Sequence, residues 1–269
     1  MTGIRVGVVL QAEATTIETL RNAWLKADAL GADSIWVTDH FFPLLVDAIG
    51  IDDHPALAVG DRDAETFESW TLLSAMDTDT KRAMVGVMVT CNSYRNPDLL
   101  AHMALTLDHL SGGRLYLGIG SGWYERDYKE YGYEFGTADS RLRQLEVDLP
   151  RIKARLAELS PPPLGRLPLL IGGAGEKITL RLVAEHADAW NTFGPPENYG
   201  RLSRVLDEWC DRVGRNRDEL ERTVSVQAEE VDDVDRYIEA GADHVMVLLH
   251  SPYALDPLDA LVSYRDSLR

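Results

Sequence analysis

The chain has 269 residues, enough for one α/β barrel or two small domains, and 45% of them are hydrophobic, enough for a sizeable core. Its formal charge of −17, from 44 acids against 27 basic residues, sets up a field that repels polyanions, so nucleic acid and anionic membrane surfaces are excluded as general partners and a phosphorylated ligand must be gripped locally. Cys91 and Cys210 alone make neither a disulfide framework nor a structural zinc site. The start MTGIRVGVVLQ carries no leader pattern and no run of roughly 18 apolar residues follows, so a soluble, cytoplasmic protein is expected.

Short β-branched runs alternate with amphipathic stretches along the whole chain. RVGVVLQ (5–11) precedes a helix opened by Thr15 and Glu18 at capping-box spacing. SIWVTDH (34–40) leads into an irregular connection, 41–65, which contains Asp52, Asp53 and His54 and has the length of a lid or substrate loop; the helix TFESWTLLSAM follows. AMVGVMVTCN (83–92) precedes a helix that Asn96 should cap and Pro97 should open, and LYLGIGSG (115–122) precedes the helix around SRLRQLEVDLPRIKARL. After the proline-stiffened return 158–167 come LPLLIGG (167–173) with GEKITLRLVAEHA, and DAWNTFG (188–194) with a helix from Pro196. TVSVQAEE (223–230) with DDVDRYIEAGA and DHVMVLLH (243–250) with a terminal helix complete the series. Eight βα units in one order predict an α/β TIM (β/α)8 barrel, a single domain over 1–269 with no dividing linker.

In such a barrel chemistry gathers at the carboxyl ends of the strands. The chain holds three Asp-His pairs, and this rule sorts them. Asp108 and His109 lie in an outer helix and Asp243 and His244 begin a strand, whereas Asp39 and His40 end one and reach the mouth. Histidine exchanges a proton near neutral pH, and a neighbouring carboxylate can orient its ring or bind a ligand. Gly172, Gly173 and Gly175 stand between a strand and a helix, where backbone N–H groups can approach a phosphate; they match neither a Walker loop nor the dinucleotide fingerprint. Gly118, Gly120 and Gly122 alternate at the end of strand four, leave one edge open to a flat ligand and bring Ser121 and Trp123 to the mouth. A nucleophile elbow would need glycine at Ile119, so a serine hydrolase is poorly supported. Cys91 has no activator in its neighbourhood and reads as packing or cofactor contact.

SIWVTDHFF, VMVTCNSYRNPDLLAHMALTLDHLSGGRLYLGIGSGW and PLLIGGAGEKITLRLVAEHADAWN stand in an order that resembles the luciferase-like monooxygenase superfamily, and within it the coenzyme F420-dependent oxidoreductases. The resemblance implies a deazaflavin ring at the barrel mouth, contacted by Asp39, with His40 facing the substrate as proton donor or acceptor. It implies a bulge behind the ring with a non-prolyl cis peptide near Val87 and Met88 and with Thr90 close by. Ser121, Gly122 and Trp123 would line the cofactor groove, and Gly172, Gly173 and Gly175 would hold its phosphate. Trp123 stands where relatives acting on glucose 6-phosphate carry a carboxylate, and no basic cluster suits a sugar phosphate. The implied activity is hydride transfer between F420 and a small organic substrate, with a homodimer as the possible assembly. FMN-dependent oxygenation on the same fold, an idle flavin or deazaflavin carrier, and a metal hydrolase using Asp52, Asp53 and His54 are the alternatives.

Overall fold

The computed structural model describes residues 3–44 and 63–269; Asp52, Asp53, His54 and most of the 41–65 connection lie outside the described residues. The strands are β1 (Arg5–Leu10), β2 (Ser34–Val37), β3 (Met84–Val87), β4 (Thr90–Cys91), β5 (Leu115–Gly120), β6 (Leu169–Gly172), β7 (Ala189–Thr192), β8 (Glu221–Val226) and β9 (His244–Leu249). All their pairings are parallel, and the order β3-β2-β1-β9-β8-β7-β6-β5-β4 closes through β3 with β5. Because β3 and β4 are two pieces of one barrel strand, the result is a closed eight-stranded TIM barrel.

Period-two alternation builds it. On β1, Val6, Val8 and Leu10 pack outward against the helices, while Val9 points inward with Trp36, Met88, Tyr116, Leu170, Met246 and Leu248. The third strand is not continuous over 83–92 as the apolar run suggested, but carries the bulge and the non-prolyl cis peptide that the family resemblance implied, one bond beyond Val87–Met88. It breaks after Val87, the Met88–Val89 peptide is cis, and pairing with β5 resumes at Thr90↔Ile119. Gly118 and Gly120 of β5 make room for this break. A Cβ on Gly118 would lie 2.1 Å from the Val87 carbonyl oxygen, and one on Gly120 would lie 2.7 Å from Val89 Cγ2.

Around the barrel run α1 (Ile17–Leu30), α2 (Ser69–Asp79), α3 (Pro97–Ser111), α4 (Glu125–Tyr131), α5 (Ala138–Glu158), α6 (Thr179–His186), α7 (Pro196–Val213), α8 (Val234–Glu239) and α9 (Asp256–Ser267). Asn96 caps α3 as expected, its side chain accepting from Asp98 and Leu99 N–H at 2.9 and 3.3 Å. The cap of α1 falls one residue later than expected. Thr16 accepts the Thr19 N–H at 3.1 Å, while Thr15 is buried with its hydroxyl directed at the Thr16 carbonyl. Residues 227–230, read as the end of a strand, instead enter a 3-10 turn spanning Ala228–Asp233. The unanticipated element is α4, an extra helix on the connection after β5. Among the described residues no helix is long and apolar enough to cross a membrane.

Candidate active site

The carboxyl ends of the strands enclose a cavity of about 390 Å³. Of the residues singled out in the sequence, Asp39, His40, Met88, Cys91, Gly120, Ser121, Gly122, Trp123, Gly172 and Gly173 line it. Val87, Thr90 and Gly175 do not. Val87 faces the helical layer, Thr90 is fully buried and accepts the Trp70 indole N–H at 3.0 Å, and Gly175 packs on Thr179, whose Oγ1 would lie 2.6 Å from an added Cβ.

His40 is the titratable group that dominates one wall. Its Nδ1 lies 2.8 Å from Oδ2 of Asp127, a fully buried carboxylate delivered by α4. The rings of Trp123 and Tyr124 meet the imidazole edgewise, each with centroids 5.5 Å away. Burial disfavours the imidazolium, but the hydrogen bond and charge of Asp127, aided by Glu13 and Asp39, outweigh it and raise the pKa of His40 above its ordinary value. The carboxylate that orients this histidine is therefore Asp127, not its neighbour Asp39.

Asp39 is engaged elsewhere. Arg95 grips it with two hydrogen bonds of 2.7 and 3.0 Å, the Ser69 hydroxyl donates at 2.5 Å, and the Cys91 N–H donates at 3.0 Å. Four donors fill the acceptor capacity of a carboxylate, so Asp39 clamps the β2 end to the segment after the Met88–Val89 bulge and has little left for a ring N–H. Cys91 belongs to the same packing: burial pushes its thiol up to about 11, and its Sγ sits 3.1 Å from the Tyr128 hydroxyl. A thiolate nucleophile is not available there.

Glu13, two residues beyond the expected end of strand one, escaped the sequence reading. It is buried, accepts the Thr38 hydroxyl at 2.6 Å through Oε1, and leaves Oε2 without a partner. Burial raises its pKa against the opposing charge of His40. Its signal was positional, an acid just past a barrel strand. Asp127 carried a similar signal in the aromatic-rich stretch WYERDYKEYGYEF that follows strand four.

The far wall tests the fit to a cofactor. Gly173 adopts φ +132°, and its N–H is spent on the Asn191 carbonyl at 2.9 Å, so it cannot also hold a phosphate. Ala174 lines the cavity beyond it, and α6 begins at Thr179 without a side-chain cap. The turn after Gly173 thus brings the chain past the cavity at Ala174 on its way to the start of α6. With an apolar floor of Val9, Met88 and Leu248, this arrangement suits a planar ring that carries a phosphate at one end. Among the described residues there is no group of His, Cys, Asp and Glu able to hold a metal ion.

Residues 1–147 match the family described as luciferase-like monooxygenase. The phthiodiolone/phenolphthiodiolone dimycocerosates ketoreductase of Mycobacterium tuberculosis is 29% identical over 242 residues, which cover 80% of this chain and 63% of that protein. The chain therefore spans less than two thirds of that relative's length. An uncharacterized protein of the same organism is 27% identical over 236 residues, 82% of this chain and 83% of its own. Among solved structures, an F420-dependent secondary alcohol dehydrogenase in complex with an F420-acetone adduct superposes with a TM-score of 0.83 over the whole of both chains at 17% identity. The F420-dependent tetrahydromethanopterin reductase of Methanopyrus kandleri gives 0.71 over 97% of this chain and 98% of its own at 13% identity. The FMN-bound oxygenating constituent of 3,6-diketocamphane monooxygenase from Pseudomonas putida gives 0.70 over 97% and 96%, also at 13% identity. At these identities the likeness to the solved structures is one of fold.

Proposed function

Since the chain belongs to the luciferase-like monooxygenase family, whose relatives here are oxidoreductases and monooxygenases, we propose that it is an F420-dependent oxidoreductase acting on a small organic substrate, with His40 as the proton-transfer group. The observation that carries the reading is His40 on the cavity wall with a buried carboxylate behind it, opposite an apolar slot bounded by the Met88–Val89 bulge. The F420-bound alcohol dehydrogenase and the F420-dependent reductase with the same fold, and the ketoreductase relative, support it.

When bound, the deazaflavin supplies or accepts the hydride. The chain's own residues do the rest. The bulge and the Gly120–Gly122 edge would flank the ring, and the turn around Ala174 would offer N–H groups to the phosphate. His40 gives a proton to the substrate heteroatom as the adjoining carbon gains hydride, or takes it back in the reverse direction. Replacing His40 with Ala should lower turnover on the order of a hundredfold while leaving F420 affinity near that of the wild type. Unchanged turnover would remove His40 from the mechanism.

The second reading is an FMN-dependent monooxygenase, favoured by the shared fold with the FMN-bound oxygenating constituent. Titrating the purified protein with F420 and with FMN separates them. Tight FMN binding with oxygen consumption and no F420 binding would replace the first reading by the second.

A further inference from the structure

A histidine that delivers a proton has to present one ring nitrogen and hold the other, and in this chain the holding group comes from the extra helix α4. Asp127 is fully buried. Its Oδ2 meets His40 Nδ1 at 2.8 Å and also accepts the Tyr94 hydroxyl at 2.9 Å, while Oδ1 accepts the Phe41 N–H at 3.1 Å. The carboxylate is thereby tied to the backbone immediately after the histidine and to a buried phenol, so it cannot turn away. Trp123 and Tyr124 close on the imidazole from other sides. With Nδ1 committed, Nε2 is the nitrogen left for the cavity that His40 lines.

We propose that Asp127 is the positioning residue of this site: it fixes the His40 ring with Nδ1–H turned toward α4 and Nε2 toward the substrate, and keeps that ring protonated for delivery. The proposal rests on His40 being the proton-transfer group. The charged surroundings agree with it from every side. Burial opposes protonation, but Asp127 from α4, Glu13 from the segment after β1 and Asp39 from the histidine's own segment all favour it. The nearby cation Arg95 is neutralised by Asp39 and Glu68, and Tyr94 faces Asp127 as a neutral phenol whose pKa burial drives upward. Tyr94 and Phe41 thus stabilise the carboxylate without competing for the histidine.

The test needs neither cofactor nor substrate. In protein labelled with ¹⁵N-histidine, the His40 ring resonances are assigned from their loss in His40→Gln. In the wild type they should titrate above the ordinary value of 6.5 and retain the Nδ1–H form once neutral. Asp127→Asn should shift the midpoint downward and abolish the preference for Nδ1–H, and Asp127→Glu should recover part of both. A wild-type midpoint at or below 6.5, or an Asp127→Asn midpoint and tautomer equal to the wild type's, would overturn the proposal. If Asp127→Asn does not fold, as judged by circular dichroism, the wild-type midpoint and tautomer decide alone. A protein that binds F420 tightly yet shows an ordinary His40 titration keeps the proposed function and loses this role for Asp127. A raised, Nδ1-protonated His40 in a protein that binds no F420 does the reverse.

Discussion

Asp39 and His40 are neighbours in sequence and part company in the fold. The strand order and the position at the end of strand two were enough to bring His40 to the mouth, so that much was legible. What Asp39 does was not, because its partners Ser69 and Arg95 lie 30 and 56 residues further along and no local pattern announces them. Its saturated carboxylate predicts a structural phenotype. Asp39→Asn leaves the buried Arg95 facing Glu68 alone and should cost about 3 kcal/mol in chemical denaturation, with cofactor affinity per folded molecule little changed. Wild-type stability with collapsed affinity would restore Asp39 as a ring contact. Gly118 illustrates the same limit. Its spacing with Gly120 and Gly122 read as room for a ligand; Gly120 and Gly122 do line the cavity, whereas the room at Gly118 is filled by the chain's own Val87 and Val89. Gly118→Ala sets a methyl group against a carbonyl that cannot rotate aside, and should destabilise by about 1–3 kcal/mol on the same measurement.

The elements that could be read were those whose ends are written locally. Asn96 and Pro97 start α3 by side-chain capping and a preset φ, neither of which needs tertiary structure. Asn96→Ala should therefore cost about 1 kcal/mol, measurable as a lowered denaturation midpoint; no loss would mean that Asp98 and Leu99 find another acceptor. The helix α4 is the opposite case. Seven residues, ERDYKEY, contain no apolar stripe, and the side chains it buries are Asp127 and Tyr128. It is held by what those two touch: His40 and Tyr94 on one side, Cys91 and Ser93 on the other. An element whose anchors are polar contacts to distant segments leaves no periodicity to find. The break between β3 and β4 was implied by the family resemblance and not by the local pattern, since MVGVMVTC reads as one apolar run; the cis bond falls at Met88–Val89, one bond beyond the expected Val87–Met88, and the pairing with β5 shows where the strand is interrupted.

Across the whole molecule the two ends of the barrel use charge differently. The mouth keeps His40 inclined to hold a proton, whereas at the opposite rim His244 is buried and pushed down by desolvation, bonded to Ser34 and to Glu221. Burial would raise Glu221, but the hydrogen bond from His244, the charge of Arg5 at 2.8 Å and the Tyr116 hydroxyl overcome it and bring its pKa from 4.5 to about 2. A carboxylate depressed on folding contributes stability that is complete above its unfolded pKa and lost as pH falls through the folded one. The loss should therefore run from about pH 4.5 down to about 2, and a shift of that size corresponds to about 3 kcal/mol. The window lies below the isoelectric point of about 4.7, so acidification there also builds up net positive charge and self-repulsion, and the two effects act in the same direction in the wild type. Glu221→Gln separates them, because it leaves the global charge almost unaltered and removes the local pair. Urea titrations at pH 5 and pH 2.5 should show the variant less stable than the wild type at the higher pH and nearly equal to it at the lower. Parallel curves at both pH values would mean that the acid limb belongs to other carboxylates and that the rim cluster is held by its packing.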